Sequence, residues 1–76
     1  MPRRTKTDAV SRKFGAAIRQ ARGDRTLEAV AGETHPHLDA KYLGEIERGW
    51  HAPTIVTAKR IADALNVPLS DLVEGL

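Results

Sequence analysis

Apolar residues recur at intervals of three and four along almost the whole chain, and no stretch shows the period of two that marks a half-buried strand. Val10, Phe14, Ile18 and Ala21 form the first such stripe, with Asp8 suited to a helix start and Gly23-Asp24 to its end. Thr26 caps a short second helix that carries Leu27, Val30 and Ala31 inward, with Glu28 near the positive end of its dipole. Pro36 pushes His35 out of the helical region, so this helix stops by about Thr34. Asp39 caps a third helix with Tyr42, Leu43 and Ile46 inward, closed by Gly49 in the left-handed conformation. Trp50 to Pro53 reads as a loop, and Thr54 caps a fourth helix with Ile55, Ala58, Ile61, Ala62 and Leu65 on one face. Asn66 ends it, Pro68 keeps the next residues extended, and Leu69 or Ser70 opens a last turn or two carrying Leu72 and Val73. The pattern predicts an all-α chain of five short helices, residues 8–76, behind a flexible basic arm at residues 1–7.

A chain of 76 residues is expected to form one domain with a thin core, burying only roughly 60–65% of its unfolded surface. That leaves little room for a deep cleft, so an enzyme is not expected, and dimerisation is a natural way to bury more apolar area. There is no cysteine, which excludes disulfides and thiolate zinc sites. No apolar run approaches a membrane span, and residues 1–13 are basic without the hydrophobic segment of a signal peptide. A cytoplasmic protein is the expectation. The net charge of +2 conceals an asymmetry, +6 over residues 1–25 against −4 over the remainder. Such a basic face fits a protein that meets phosphate on one side, although a solubilising basic tail gives the same sums.

The segment Tyr42-Leu-Gly-Glu-Ile-Glu-Arg-Gly49, then Pro53-Thr54, then Ala62-Asp-Ala-Leu-Asn-Val-Pro-Leu-Ser-Asp-Leu72, closely resembles the lambda-repressor-like (XRE-type) helix-turn-helix family. Phe14 to Arg22 resembles that family's first helix and Thr26 to Ala31 its second. The resemblance implies a compact five-helix fold in which helices two and three form the motif. The third helix, about residues 40–47, then enters the major groove of double-stranded DNA, usually within a homodimer on a near-palindromic operator. The chain departs from the family's pattern in a longer segment between Ala31 and Leu38, with His37 where a turn glycine is customary, and in Leu27 where glutamine is frequent. Its third helix is also not strongly basic.

On this resemblance the DNA-facing residues are Thr26, Asp39, Ala40, Lys41, Tyr42, Gly44, Glu45, Arg48, Trp50 and His51. Lys41 stands where relatives read bases, and its ammonium donates either to guanine O6 or N7 or to a phosphate. Ala40 offers a methyl that suits a thymine methyl, or is simply a good helix former. Gly44 is expected to face the groove, either for close backbone approach or as a tolerated poor helix residue. Glu45 accepts from cytosine N4 or discourages wrong sequences, or is simply an exposed carboxylate, which is the favoured description. Tyr42 packs its ring between helices with its hydroxyl outward. Arg48, Trp50 and His51 lie where the family's loop meets the DNA backbone, with Trp50 a phosphate donor or a cover for the core. Arg3, Arg4 and Lys6 follow a groove as a mobile arm or merely solubilise.

Two structural roles come with the resemblance and the pattern. Glu47 is implied to pair with Arg22 of the first helix. Leu69, Leu72, Val73 and Leu76 carry more apolar surface than a thin core covers, so a homodimer interface through the last helix is expected. His35, His37 and His51 lack the accompanying ligand pattern of a metal site, and no cofactor, membrane or small-molecule partner is expected. The function implied is a DNA-binding transcriptional regulator, of the phage Cro or repressor kind or a restriction–modification controller, with the controller favoured by compactness. A protein-interaction module such as an antitoxin remains the alternative.

Overall fold

In the computed structural model, which describes residues 8–76, five helices follow one another without strands: α1 Ala9–Arg22, α2 Leu27–Gly32, α3 Ala40–Glu47, α4 Ile55–Leu65 and α5 Leu69–Val73. Their starts are set by side chains that satisfy the orphan amides of a first helical turn. Asp8 accepts from the Ser11 amide at 2.7 Å, Thr26 from Ala29 at 3.0 Å, Asp39 from Lys41 at 3.1 Å and Thr54 from Thr57 at 3.2 Å. The Ser11 amide and hydroxyl together hold the Asp8 carboxyl below its ordinary pKa. Asn66 closes α4 in the left-handed conformation, and α5 opens at Leu69 after Pro68 without a side-chain cap.

Helix α1 packs on α3, α4 and α5, while α2 packs on α3 and α4. Phe14, Ile18, Val30, Leu43, Ile46, Ile61, Leu65 and Leu72 meet in the single core that results. Leu72 is only 2% exposed and Leu69 is half-buried against the core, so the last helix turns its best apolar residues inward. This takes Leu72 out of the expected interface through Leu69, Leu72, Val73 and Leu76, while Leu69 stays half-buried and Val73 and Leu76 stay exposed. A five-residue helix has one inward stripe, and the thin core of the domain takes it. Among the described residues no helix is long and apolar enough to cross a membrane.

Two features lock α1 against α3. Gly15 is buried where the helices cross, and a Cβ there would run into the Ile46 carbonyl oxygen and lie 2.5 Å from that of Glu47. About two turns further along α1, and at the same end of α3, the Arg22 guanidinium forms a two-pronged pair with Glu47, Nε to Oε2 at 2.6 Å and a terminal nitrogen to Oε1 at 2.8 Å. The side chains are 17% and 7% exposed, so this is a largely desolvated pair rather than a surface one. Hydrogen bonding to Glu47 raises the Arg22 pKa above its ordinary value despite the opposing effect of burial. A third donor of Arg22 reaches the Arg25 carbonyl at 2.7 Å, and Arg25 reaches Glu33 at 3.1 Å and the Ala64 carbonyl at 3.3 Å. One cationic chain thus joins α1 and α3 to the end of α2 and the end of α4.

Gly15→Ala should lose about 1–3 kcal/mol because backbone, not a flexible side chain, must retreat, whereas Gly32→Ala, where a Cβ meets open space, should not destabilise. Equilibrium urea unfolding of the two variants checks this; equal stabilities would disprove the tight crossing. Glu47→Gln leaves the guanidinium without its counter-charge and should cost roughly 3–5 kcal/mol, read as a fall of more than about ten degrees in Tm.

Candidate nucleic-acid interface

Helix α3 is seated by its inward residues Leu43 and Ile46, both fully buried, which turn the opposite side of its first turn to solvent. There Lys41 is exposed, Ala40 and Tyr42 are half-buried, and Asp39 spends one carboxylate oxygen on the Lys41 amide. Thr26, the α2 cap, is likewise exposed, with its hydroxyl oxygen committed to Ala29.

The end of α3 and the loop after it fold back on the helix. The Trp50 amide donates to the Glu45 carbonyl at 3.0 Å, and Gly49, at φ 81°, donates to Ile46 at 2.9 Å. Gly49 is doubly required, since a Cβ would also lie 2.8–3.1 Å from Arg12 of α1. The return brings His51 to Glu45, Nε2 to Oε1 at 2.8 Å, and lays its ring beside Tyr42 with centroids 5.2 Å apart. The Glu45 side chain is consequently only 20% exposed, which corrects the expectation of an exposed carboxylate. His51 partly covers its charge, so the acid is not a free acceptor at the surface.

Arg48 and Trp50 form a second pair, the guanidinium carbon 4.5 Å from the indole ring centroid. Trp50 is 50% exposed and so does not close over the core. Gly44 is buried, and the space above its Cα holds Leu27 of α2 and the Arg48 guanidinium, 3.2 and 3.7 Å from where a Cβ would sit. The glycine therefore makes room for the motif's own side chains, which corrects its expected outlook on an open groove.

The sequence-level site is thus two clusters, Tyr42–Glu45–His51 and Gly44–Arg48–Trp50, flanking an exposed Lys41. Arg3, Arg4 and Lys6 lie outside the described residues. His35 and His37 lie side by side in the turn before α3, centroids 5.8 Å apart and rings tilted by 46°, and no group of three metal-ligating side chains occurs among the described residues. The sequence pattern did not disclose Thr34, a buried hydroxyl in the same turn. Its only signal was a polar residue where the last stripe of α2 ends.

A family model described as helix-turn-helix matches residues 16–72. Among solved structures, the restriction-modification controller protein C.AhdI from Aeromonas hydrophila superposes with a TM-score of 0.78 at 30% identity, covering 86% of this chain and 98% of that one. The clp gene regulator ClgR from C. glutamicum gives 0.77 at 26% identity, over 87% and 86% of the two chains. The S. venezulae BldD DNA-binding domain gives 0.74 at 27% identity, over 86% and 97%. No curated protein matches the sequence.

Proposed function

The chain belongs to the helix-turn-helix family, and from that premise we propose that it is a sequence-specific, double-stranded-DNA-binding transcriptional regulator rather than an enzyme. The observation that carries this is the seating of α3, buried along Leu43 and Ile46 and clamped at Glu47, with Lys41 projecting from its exposed first turn. In this reading α3 lies in the major groove. Lys41 donates to a guanine edge and Ala40 meets an adjacent apolar group. Arg48, held over Trp50, delivers its charge to a phosphate, and the Trp50 indole N–H is a second donor there. The basic segment with Arg3, Arg4 and Lys6 adds phosphate contacts ahead of the domain at residues 8–76.

The chemistry of the helix is sparse: one exposed lysine stands beside a carboxylate half-covered by a histidine. DNA shape and the loop after Arg48 therefore share recognition with direct base contacts. The similarity to C.AhdI, nearly all of whose chain is covered, favours a restriction–modification controller among such regulators.

The regulator acts as a homodimer, and the exposed apolar groove between α1, α4 and α5 is where a second copy docks. Val10, Phe14, Pro53, Ile55, Val73 and Leu76 line this cavity of about 290 Å³. Ile55, 73% exposed, stands on its rim beside Val56. Hole and exposed side chain share one face, as a two-fold contact that pairs the same patch of both copies requires.

Selection from a random DNA pool should recover a near-palindromic site, with affinity falling steeply as salt rises. Lys41→Ala should lower preference among sequences by about tenfold with a smaller loss on random DNA. Arg48→Ala should weaken all sequences alike and reduce the salt slope by about one. Recovery of no consensus would refute the regulator. Sedimentation should show a dimer at micromolar concentration that Ile55→Glu converts to a monomer of unchanged helicity. A wild-type monomer at high micromolar concentration would refute docking of a second copy.

A further inference from the structure

The segment between α2 and α3 decides how the exposed first turn of α3 is presented, and one buried hydroxyl spans it. Thr34 is 1% exposed. Its Oγ1 donates to the Ala31 carbonyl at 2.6 Å and accepts from the Leu38 amide at 2.7 Å. Ala31 belongs to the last turn of α2, and Leu38 immediately precedes Asp39, the cap of α3. The intervening His35, Pro36 and His37 are all exposed. The hydroxyl thus joins the exit of one helix to the entry of the next, beneath three residues that lie at the surface.

We infer that Thr34 is a positioning residue for DNA recognition, setting the tilt of α3 and hence the placement of Lys41 and Ala40. The inference rests on the proposed role of α3 as the DNA-contacting helix. The far end of α3 is pinned by Gly15 and by the Arg22–Glu47 pair. Its near end is held by the buried Leu43 and the half-buried Ala40 and Leu38, by the local Asp39 cap and by the Thr34 bridge, the side-chain link there between the exit of α2 and the entry of α3. From Glu47 to Lys41 the helix is a lever of about 9 Å, so a tilt of about 7° moves the reading end by about 1 Å. That displacement is enough to break a hydrogen bond to a base edge. Valine in place of threonine keeps the shape but leaves the Leu38 amide and the Ala31 carbonyl without the hydroxyl, whereas serine keeps the bridge.

The test compares wild type, Thr34→Val and Thr34→Ser, below the melting temperature of each, on the selected DNA site and on random duplex. Alongside, hydrogen exchange at the Leu38 amide and the α3 amide chemical shifts are followed by NMR. Thr34→Val should lose at least about tenfold in the ratio of specific to random affinity while random affinity and salt slope stay within about twofold. Thr34→Ser should keep the wild-type ratio, and Leu38 should be protected in wild type and Thr34→Ser alone. A ratio preserved in Thr34→Val, or lost equally in Thr34→Ser, overturns the inference. So does a wild-type Leu38 amide that exchanges like an unstructured one, a measurement that stands even if Thr34→Val does not fold. If wild type selects no sequence, the regulator reading fails by itself. The positioning role is then decided by whether Thr34→Val alone shifts the α3 amides and unprotects Leu38.

Discussion

The Arg22–Glu47 pair is the contact on which the placement of α3 depends. A short helix of eight residues has two fully buried large side chains, Leu43 and Ile46, and these fix which face turns inward but not where the helix sits along its neighbour. The bidentate pair supplies that missing coordinate, because a planar guanidinium accepts a carboxylate in few geometries. Gly15 lets the backbones come close enough for the pair to form, and the remaining donors of Arg22 and Arg25 carry the constraint to α2 and α4. Desolvation makes the arrangement costly to break rather than strongly stabilising in itself, so its value is geometric.

Against that fixed end, the exposed side of α3 is chemically modest. Folding pairs most of its charged and aromatic groups with one another: Glu45 with His51, Tyr42 with His51, Arg48 with Trp50. Such internal pairing reduces the rotamer freedom that a side chain loses on meeting a partner, which favours a rigid surface over a highly charged one. Lys41 stands apart, with the one long flexible cation of the helix at its exposed start. In the proposed reading, affinity for phosphate comes largely from outside the helix, in keeping with the basic excess of residues 1–25.

The core explains why the domain leaves an apolar groove open. Five short helices cannot close around all their apolar residues, and Leu72 goes to the interior while Val10, Ile55, Val56, Val73 and Leu76 stay outside. The exposed set comes from α1, from α4 and from α5 and the residues after it, so the last helix carries only part of it.

The positions of all five helices were legible in the sequence, since caps, stops and periodic apolar residues are local signals acting over a few residues. Asp39 and Gly49 bound α3 in the sequence as they do in the fold, and the Arg22–Glu47 pair followed from family resemblance. What the sequence could not express was proximity between distant segments. That Gly15 sits under the Ile46 and Glu47 carbonyls, that Gly44 serves Leu27 and Arg48, and that His51 returns to cover Glu45 are facts of packing. The hydroxyl of Thr34 belongs with them, because a polar residue becomes a strut only when burial removes water as its competing partner. Local chemistry determined where each helix begins and ends; only close packing decided which face of α3 is free and which groups are left on it.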